Sequence, residues 1–186
     1  MARMASTMVA LGTPAPDFAL PDTDGKLVTR DAFADAPALL VLFLCNHCPF
    51  VKHVAAELAA IGRDYRDSGV AIVAINANDP SAYPEDSPER MKVEKERVGY
   101  PFPYLFDASQ EVARAFGAVC TPDVFLYDAD RRLYYRGQLD DSRPGNGLPV
   151  TGRDLREALD AALNGLPEPE EQRPSIGCSI KWRSVS

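Results

Sequence analysis

Short apolar runs alternate with longer amphipathic stretches along this 186-residue chain. Residues 38–44 read ALLVLFL, an uninterrupted apolar run that predicts a strand buried on both faces of a sheet. From Pro49 onward apolar residues recur every three or four positions, which predicts a helix that begins at this proline. Residues 70–76 predict a second buried strand, so strand, helix and strand indicate a right-handed parallel crossover.

The remaining pattern predicts an α/β fold with a central mixed sheet flanked by helices. Residues 17–29 form two short apolar segments around an Asp-Gly turn, which predicts an N-terminal hairpin, and residues 123–137 predict a second hairpin at the sheet edge. Residues 78–99 are charged on most sides and are expected to face solvent. The other predicted elements are a helix at 88–98, a short strand at 103–106, a helix at 109–116 and a helix at 155–164.

The chain length and the polarity pattern predict one domain between two extensions. Residues 1–10 are mixed in polarity and predict a disordered leader. Residues 11–165 hold the predicted helices and strands. Residues 166–186 contain three prolines, one cysteine and the only tryptophan, which predicts an extended tail and not a packed element.

Composition and charge exclude several classes of protein. With 46% hydrophobic and 25% charged residues the chain is typical of globular proteins. Its formal net charge of −7 would be repelled by phosphates, so we expect no nucleic-acid partner. It has no run of about 18 apolar residues to span a membrane. The N-terminus is too short and too polar for a secretory signal, and we therefore expect a cytoplasmic protein that does not bind membranes.

The candidate chemistry lies at the predicted junction of strand and helix, in the sequence Cys45-Asn46-His47-Cys48. Such a pair is a redox centre, part of a metal site or a structural disulfide. Structural disulfides are rare in a reducing compartment. One CxxC supplies two ligands, whereas a structural zinc site usually has four, and the chain has no second CxxC and no HxxxH. These observations favour the redox centre.

Different roles are predicted for the residues of this pair. A thiolate attacks disulfides, and the N-terminal end of a helix favours an anion. We place Cys45 in the N-cap region of the helix and expect its pKa to fall to roughly 3.5–7.5. Cys48, one turn further on, is expected to act as the resolving thiol. We expect His47 to offer a cation or an N–H donor to the Cys45 thiolate, which would make the couple more oxidising.

The cysteine junction and three other features resemble the thioredoxin-fold redoxins, the family of AhpC/TSA and TlpA/ResA-like proteins. These features are the order of elements, the opening GTPAPDFALPDTDGKLVTRDAF and a later Thr121-Pro122. The resemblance implies a thioredoxin-like fold over residues 11–165. It also implies that Thr121-Pro122 is a cis-proline loop that faces the pair. There Thr121 would present its backbone to an extended substrate chain, and Pro122 and Pro49 would line the substrate site.

The chain departs from the pattern of these relatives just before the pair. Peroxiredoxins have Thr or Ser three residues before the peroxidatic cysteine and Pro four residues before that, whereas this chain has Leu42 and Ala38. The hydroxyl that organises a peroxide is therefore missing. Thioredoxin has Trp before the first cysteine and a buried Asp in the preceding strand, whereas this chain has Leu44 and an apolar strand. The proton acceptor would then be His47, a water or a carboxylate such as Glu57.

Two further cysteines are candidate additional redox thiols. Cys120 directly precedes the predicted proline loop, although free cysteines usually behave as small buried apolar residues, and this interpretation is favoured. Cys178 lies in the tail, beside Gly177 and close to Trp182. It is either a second resolving thiol, a partner for Cys120 or an inert residue, and the sequence favours none of these.

The sequence thus predicts a thiol–disulfide oxidoreductase that needs no cofactor and no metal. The Cys45 thiolate attacks a disulfide, a mixed disulfide forms, and Cys48 displaces the product. The expected partners are disulfide-containing proteins or small thiols, together with a thiol electron donor that the sequence does not identify. The sequence does not indicate an oligomeric state. Two alternatives stay open, a thiol peroxidase that uses Cys45 and a metal-binding module built on residues 45–48.

Overall fold

The computed structural model describes residues 2–185, which form ten short strands and four α-helices. The strands are β1 Arg3–Ala5, β2 Ala19–Pro21, β3 Leu27–Thr29, β4 Leu39–Phe43, β5 Ala71–Asn76, β6 Tyr104–Phe106, β7 Cys120–Thr121, β8 Asp123–Tyr127, β9 Leu133–Tyr135 and β10 Ile176–Ser179. The α-helices are α1 Pro49–Asp64, α2 Pro88–Val98, α3 Glu111–Phe116 and α4 Arg153–Leu163. Short 3-10 helices occupy Arg30–Phe33, Arg66–Ser68 and Pro84–Asp86.

A five-stranded sheet in the order β6-β5-β4-β8-β9 forms the centre of the fold. Strand β5 runs parallel to β4 and β6, whereas β8 runs antiparallel to β4 and β9. All five residues of β4 are buried, because this central strand is covered on both faces. The predicted mixed sheet is confirmed, and so are the crossover through α1 and the two hairpins β2–β3 and β8–β9.

Alternate residues of β4 point to opposite faces of the sheet, as a pleated strand requires. Leu40 and Leu42 pack in one apolar cluster with residues of α1, α2 and α4. Val41 and Phe43 pack in a second cluster with residues of α3 and of the β2–β3 hairpin. Each face of the sheet is therefore covered, and the end of β4 is held firmly at the start of the cysteine segment. Within residues 2–185, no helix has the length and apolar character needed to cross a membrane.

The two chain ends differ from the predicted leader and tail. Residues 3–5 form β1, which pairs with β10, and β10 also pairs with β7, in a second sheet of order β1-β10-β7. The predictions of a disordered leader at 1–10 and of an unpacked tail at 166–186 are therefore wrong for these strands. Met1 and Ser186 lie outside the described residues. Strands of three and four residues are too short to give a periodic signal, and their partners are distant in sequence.

Gly177 allows β10 to lie close against β7. A Cβ atom built at this position would overlap the backbone carbonyl group of Thr121. A backbone group cannot turn aside as a flexible side chain can, so a larger residue at this position would push the two strands apart. The close approach of the tail strand therefore depends on glycine at this position.

Replacing Gly177 with Ala is expected to lower the free energy of unfolding by about 1–3 kcal/mol, the usual cost of an overpacked site. Urea denaturation followed by circular dichroism measures the change. Ser179→Ala is the matched control, because it lies on the same strand, is half-buried and loses only a 3.4 Å contact with Lys181 Nζ. Equal stability of Gly177→Ala and the wild type would show that β10 does not pack on Thr121.

Candidate active site

The cysteine pair lies between the end of β4 and the start of α1, as predicted. The backbone bends at Asn46 and His47 to pass from strand to helix. Cys48 is the N-cap residue of α1, and Cys45 lies three positions before it. The expected N-cap position of Cys45 is therefore wrong, because the helix begins only after the second cysteine.

The Thr121-Pro122 loop faces the pair. Its peptide bond is cis, as the family resemblance implied, and both residues are buried. Cys45 Sγ lies 3.3 Å from Thr121 Oγ1, and the protonated Cys48 thiol donates a hydrogen bond to the Thr121 carbonyl oxygen at 3.4 Å. Thr121 therefore contacts one sulfur through its side chain and the other through its backbone. Pro49, the third residue expected at the substrate site, is exposed in the first turn of α1.

The two cysteines differ in the direction of their pKa shifts: the pKa of Cys48 is lowered and that of Cys45 is raised, so Cys48 is the first of the pair to lose its proton. The pKa of Cys48 is lowered to about 5. The largest cause is the neighbouring Cys45 thiol, and the Cys178 thiol and the Val51 backbone N–H act in the same direction. Burial raises the pKa of Cys45 well above its ordinary value, and Cys48 and the charge of Asp86 raise it further. The predicted fall in the pKa of Cys45 is therefore wrong, because the N-cap position and its amide groups belong to Cys48.

Asp86 is a buried carboxylate beside the pair that no sequence signal identified. It accepts hydrogen bonds from the Asn46 backbone N–H at 2.7 Å and from Asn78 Nδ2 at 2.9 Å. Burial alone would raise the pKa of Asp86, but His47 and these amide donors lower it. Asp86 therefore stays ionised next to Cys45, where it opposes the formation of a Cys45 thiolate.

His47 is directed at Asp86 and not at the Cys45 thiolate. Its Nδ1 atom forms an ion pair with Asp86, and this carboxylate raises the pKa of His47 against the opposing effect of burial. The imidazole ring stacks on Tyr83, with the ring centroids 5.1 Å apart. The predicted hydrogen bond from His47 to Cys45 is not formed, because the imidazole pairs with the Asp86 carboxylate instead.

The position of Asp86 explains why sequence reasoning missed it. It lies within residues 78–99, whose polarity predicts a solvent-facing segment, but the 3-10 helix Pro84–Asp86 folds back onto the cysteine segment. The sequence did contain one signal. Thioredoxin has a buried Asp in the strand before its first cysteine, and β4 has none, so another group must accept the proton. The carboxylate considered for that role, Glu57, instead forms an ion pair with Arg156 at 2.7 Å between α1 and α4.

Three side chains at this site resemble a partial metal site. Cys45, His47 and Asp86 offer sulfur, nitrogen and oxygen atoms within 4.8 Å of one another. Zinc sites with an open position use three protein ligands of these types. Both oxygens of Asp86 already accept hydrogen bonds from amide groups, however, so a cation would have to compete with these donors. The arrangement is better explained as a carboxylate that orients His47.

The structure brings one of the two remaining cysteines to the pair. Cys178 on β10 is the register partner of Thr121, and it packs in the same buried apolar cluster as Cys45 and Cys48. The Cys120 sulfur lies 3.7 Å from the Pro122 carbonyl oxygen, and burial raises the pKa of Cys120. Successive residues of a strand point to opposite faces, which places Cys120 on the face away from the pair.

The backbone edge of Thr121 is already paired within the chain. Strand β10 lies antiparallel to β7 and places Cys178 opposite Thr121. The prediction that Thr121 offers a free edge to a substrate chain is therefore wrong for this structure, because the tail strand occupies it. Only 2% of Cys45 and none of Cys48 is exposed to solvent. Access to the sulfurs therefore requires a shift of the groups that cover them.

Residues 11–136 match the AhpC/TSA family. The chain belongs to the AhpC/TSA family. A thiol–disulfide oxidoreductase ResA from Geobacillus thermodenitrificans is 30% identical over 131 residues, which are 68% of this chain and 68% of that protein. Peroxiredoxins are more distant relatives. The resemblance to redoxins is confirmed, and these relatives support thiol–disulfide oxidoreductase activity for the AhpC/TSA protein described here.

Solved structures confirm the fold class. The crystal structure of an uncharacterized conserved protein from Geobacillus kaustophilus covers 100% of this chain and 99% of its own, with a TM-score of 0.97 and 55% identity. A thiol:disulfide interchange protein of the thioredoxin family from Chlorobium tepidum has a TM-score of 0.62, and the match covers 83% of this chain and 98% of that one. At 22% identity the second match concerns the fold alone, and it confirms the thioredoxin-like fold.

The reduced AhpC/TSA protein is expected to form a thiolate with an apparent pKa near 5, carried by Cys48. Cys48→Ala should remove this transition. Cys45→Ala and Cys178→Ala should each move it to higher pH, because each removes an S–H donor to the thiolate. Ultraviolet absorbance of the thiolate as a function of pH measures these changes, and Cys120→Ala is the control expected to keep the transition. A transition that survives in Cys48→Ala and disappears in Cys45→Ala would assign the thiolate to Cys45.

Replacing Asp86 with Asn is expected to lower the pKa of His47, because the carboxylate is the main cause of its raised value. The pKa of Cys45 should fall as well, since a nearby negative charge is removed. Proton NMR of the His47 ring and thiol alkylation as a function of pH measure the two effects. Asp79→Asn is the control, because Asp79 lies on the same loop but binds Ser81. An unchanged His47 titration in Asp86→Asn would contradict the ion pair.

Proposed function

We propose that this AhpC/TSA protein exchanges a Cys45–Cys48 dithiol and disulfide with disulfide-containing proteins or small thiols. The observation that carries the proposal is the geometry of the pair at the start of α1: Cys45 Sγ lies 3.3 Å from Thr121 Oγ1 and Cys48 Sγ lies 3.4 Å from the Thr121 carbonyl oxygen, both in the cis-proline loop. Thiolates are the attacking species in disulfide exchange. Both sulfurs contact the same residue, Thr121, so a local movement suffices to bring them to disulfide distance.

We assign the attack on the substrate to Cys48 and the resolving step to Cys45, the reverse of the order predicted from the sequence. The Cys48 thiolate attacks one sulfur of a substrate disulfide, and the other substrate sulfur leaves and takes up a proton. Cys45 then loses its proton and attacks the Cys48 sulfur. The second substrate thiol is released, and the enzyme holds the Cys45–Cys48 disulfide.

The Asp86–His47 pair is the acceptor we assign to the Cys45 proton. Atoms of both side chains lie within 4.8 Å of Cys45 Sγ. The ionised carboxylate supplies the base that the apolar strand β4 lacks, and His47 remains paired with it. The sequence left His47, a water or a carboxylate such as Glu57 for this role, and we assign it to the carboxylate of Asp86 together with His47.

The position of the thiolate favours an oxidising couple. A pKa near 5 for Cys48, against about 8.5 for an ordinary thiol, stabilises the reduced form. A stabilised reduced form raises the reduction potential, so we expect a value above the roughly −270 mV of thioredoxin. The direction agrees with the prediction from the sequence, but the cause is the N-cap and its thiol donors and not His47.

The thiol peroxidase alternative has less support. Leu42 is buried in β4 and has no hydroxyl, and three residues before Cys48 the equivalent position is Cys45 itself. The hydroxyl that does reach the pair belongs to Thr121 and contacts Cys45, not the Cys48 thiolate. The cytoplasmic location and the nature of the electron donor stay predictions.

Incubation of the reduced protein with glutathione redox buffers should produce a Cys45–Cys48 disulfide, mapped by mass spectrometry, with a potential above about −270 mV. In an insulin-reduction assay with glutathione as donor, Cys48→Ala should fall to the rate of glutathione alone, because it lacks the attacking thiolate. Cys120→Ala should keep the wild-type rate. Full activity of Cys48→Ala would contradict the assigned roles, and the absence of a Cys45–Cys48 disulfide in every buffer would contradict the function.

A further inference from the structure

Cys178 lies across the strand ladder from Thr121, the residue that contacts both sulfurs of the pair. Opposite residues of antiparallel strands have Cα atoms about 4.5–5.5 Å apart, and their side chains project to the same face. On that face the Thr121 hydroxyl contacts Cys45 Sγ at 3.3 Å. The register of β7 and β10 therefore directs the Cys178 side chain toward the cysteine pair.

The surroundings of the sulfur agree with this direction. Cys178 is 3% exposed and belongs to the same apolar cluster as Cys45 and Cys48. Both Cys45 and Cys178 lower the pKa of Cys48, as expected of thiols close to its sulfur. Cys48 thus has a neighbouring cysteine on each of two segments, the one after β4 and strand β10.

Contacts on both sides of Cys178 hold the tail strand in this place. Before it, Ser175 Oγ donates to the Pro122 carbonyl oxygen at 2.7 Å. After it, the Lys181 backbone N–H donates to Asn78 Oδ1 at 2.8 Å. The backbone therefore fixes the position of Cys178, and its approach to Cys48 does not depend on the thiol itself.

We propose that Cys178 is a third redox-active thiol, which displaces Cys45 from the Cys45–Cys48 disulfide and forms a disulfide with Cys48 in its place. The inference rests on the proposed function, because it requires Cys48 to form disulfides. The Cys178 thiol loses its proton and attacks the Cys48 sulfur, the Cys45–Cys48 bond breaks, and Cys45 takes up a proton. One disulfide replaces another, so the step needs no further oxidant.

The same step resolves a mixed disulfide between Cys48 and an external thiol. Cys178 attacks the Cys48 sulfur, and the external thiol leaves with the proton. Strand β10 also occupies the backbone edge that the family resemblance gives to a substrate chain, so Cys178 takes the place of a substrate cysteine. It lies outside residues 11–136, the part of the chain that matches the AhpC/TSA family.

Glutathione disulfide is the probe that tests the proposal, with Cys45→Ala as the central variant. Its Cys48 thiolate should attack glutathione disulfide and release one glutathione, and Cys178 should then release the second. Intact mass should show no glutathione adduct, and peptide mapping should show a Cys48–Cys178 disulfide. Cys45→Ala/Cys178→Ala should retain one glutathione on Cys48, whereas the matched control Cys45→Ala/Cys120→Ala should behave like Cys45→Ala.

The outcomes separate this inference from the proposed function. A glutathione adduct on Cys48 in Cys45→Ala, as abundant as in the variant without Cys178, would overturn the role of Cys178 and leave the function standing. If Cys178→Ala formed no Cys45–Cys48 disulfide and no variant took up glutathione, the function itself would fail. Peptide mapping of Cys45→Ala decides the question even if the double variants are unstable, because that protein keeps the whole tail.

Discussion

The contacts of Thr121 with three cysteines are the interaction on which the rest of the site depends. Its hydroxyl contacts Cys45, its carbonyl oxygen accepts from the protonated Cys48 thiol, and across the ladder it is paired with Cys178. The central sheet brings Thr121 and the cysteine pair together. Strands β4 and β8 are neighbours, and their register pairs the last residue of β4 with the first of β8, so the loop before β8 meets the segment after β4.

The charge distribution follows from that arrangement. Three sulfurs lie together in a buried site, where a single negative charge is stabilised best by the sulfur that has the most donors. Cys48 has the N-cap position of α1, and both other thiols lower its pKa. Cys45 lies beside the ionised Asp86, which disfavours a second charge there. The order of the two cysteines along the chain does not decide which one is the thiolate; their surroundings do.

The tail strand gives this fold a feature that the family domain alone does not contain. Strand β10 joins β1 to β7, so the first and last described strands of the chain form one sheet with the strand that holds Thr121. The edge of β7, a natural place for an extended substrate to bind, is therefore satisfied internally. A protein substrate would have to compete with β10, whereas a small thiol would need only a local opening of the strand.

The sequence by itself determined the sheet, the helix α1 and the place of the cysteine pair, because burial on both faces and helical periodicity are local patterns. The apolar run at 38–44 and the spacing after Pro49 put the pair at the strand-to-helix junction, and family resemblance supplied Thr121. The choice of thiolate, the carboxylate Asp86 and the packing of the tail were decided by tertiary structure alone. Asp86 lies 40 positions from its partner Asn46, and a pKa depends on the groups that the fold brings together, not on neighbours in the chain.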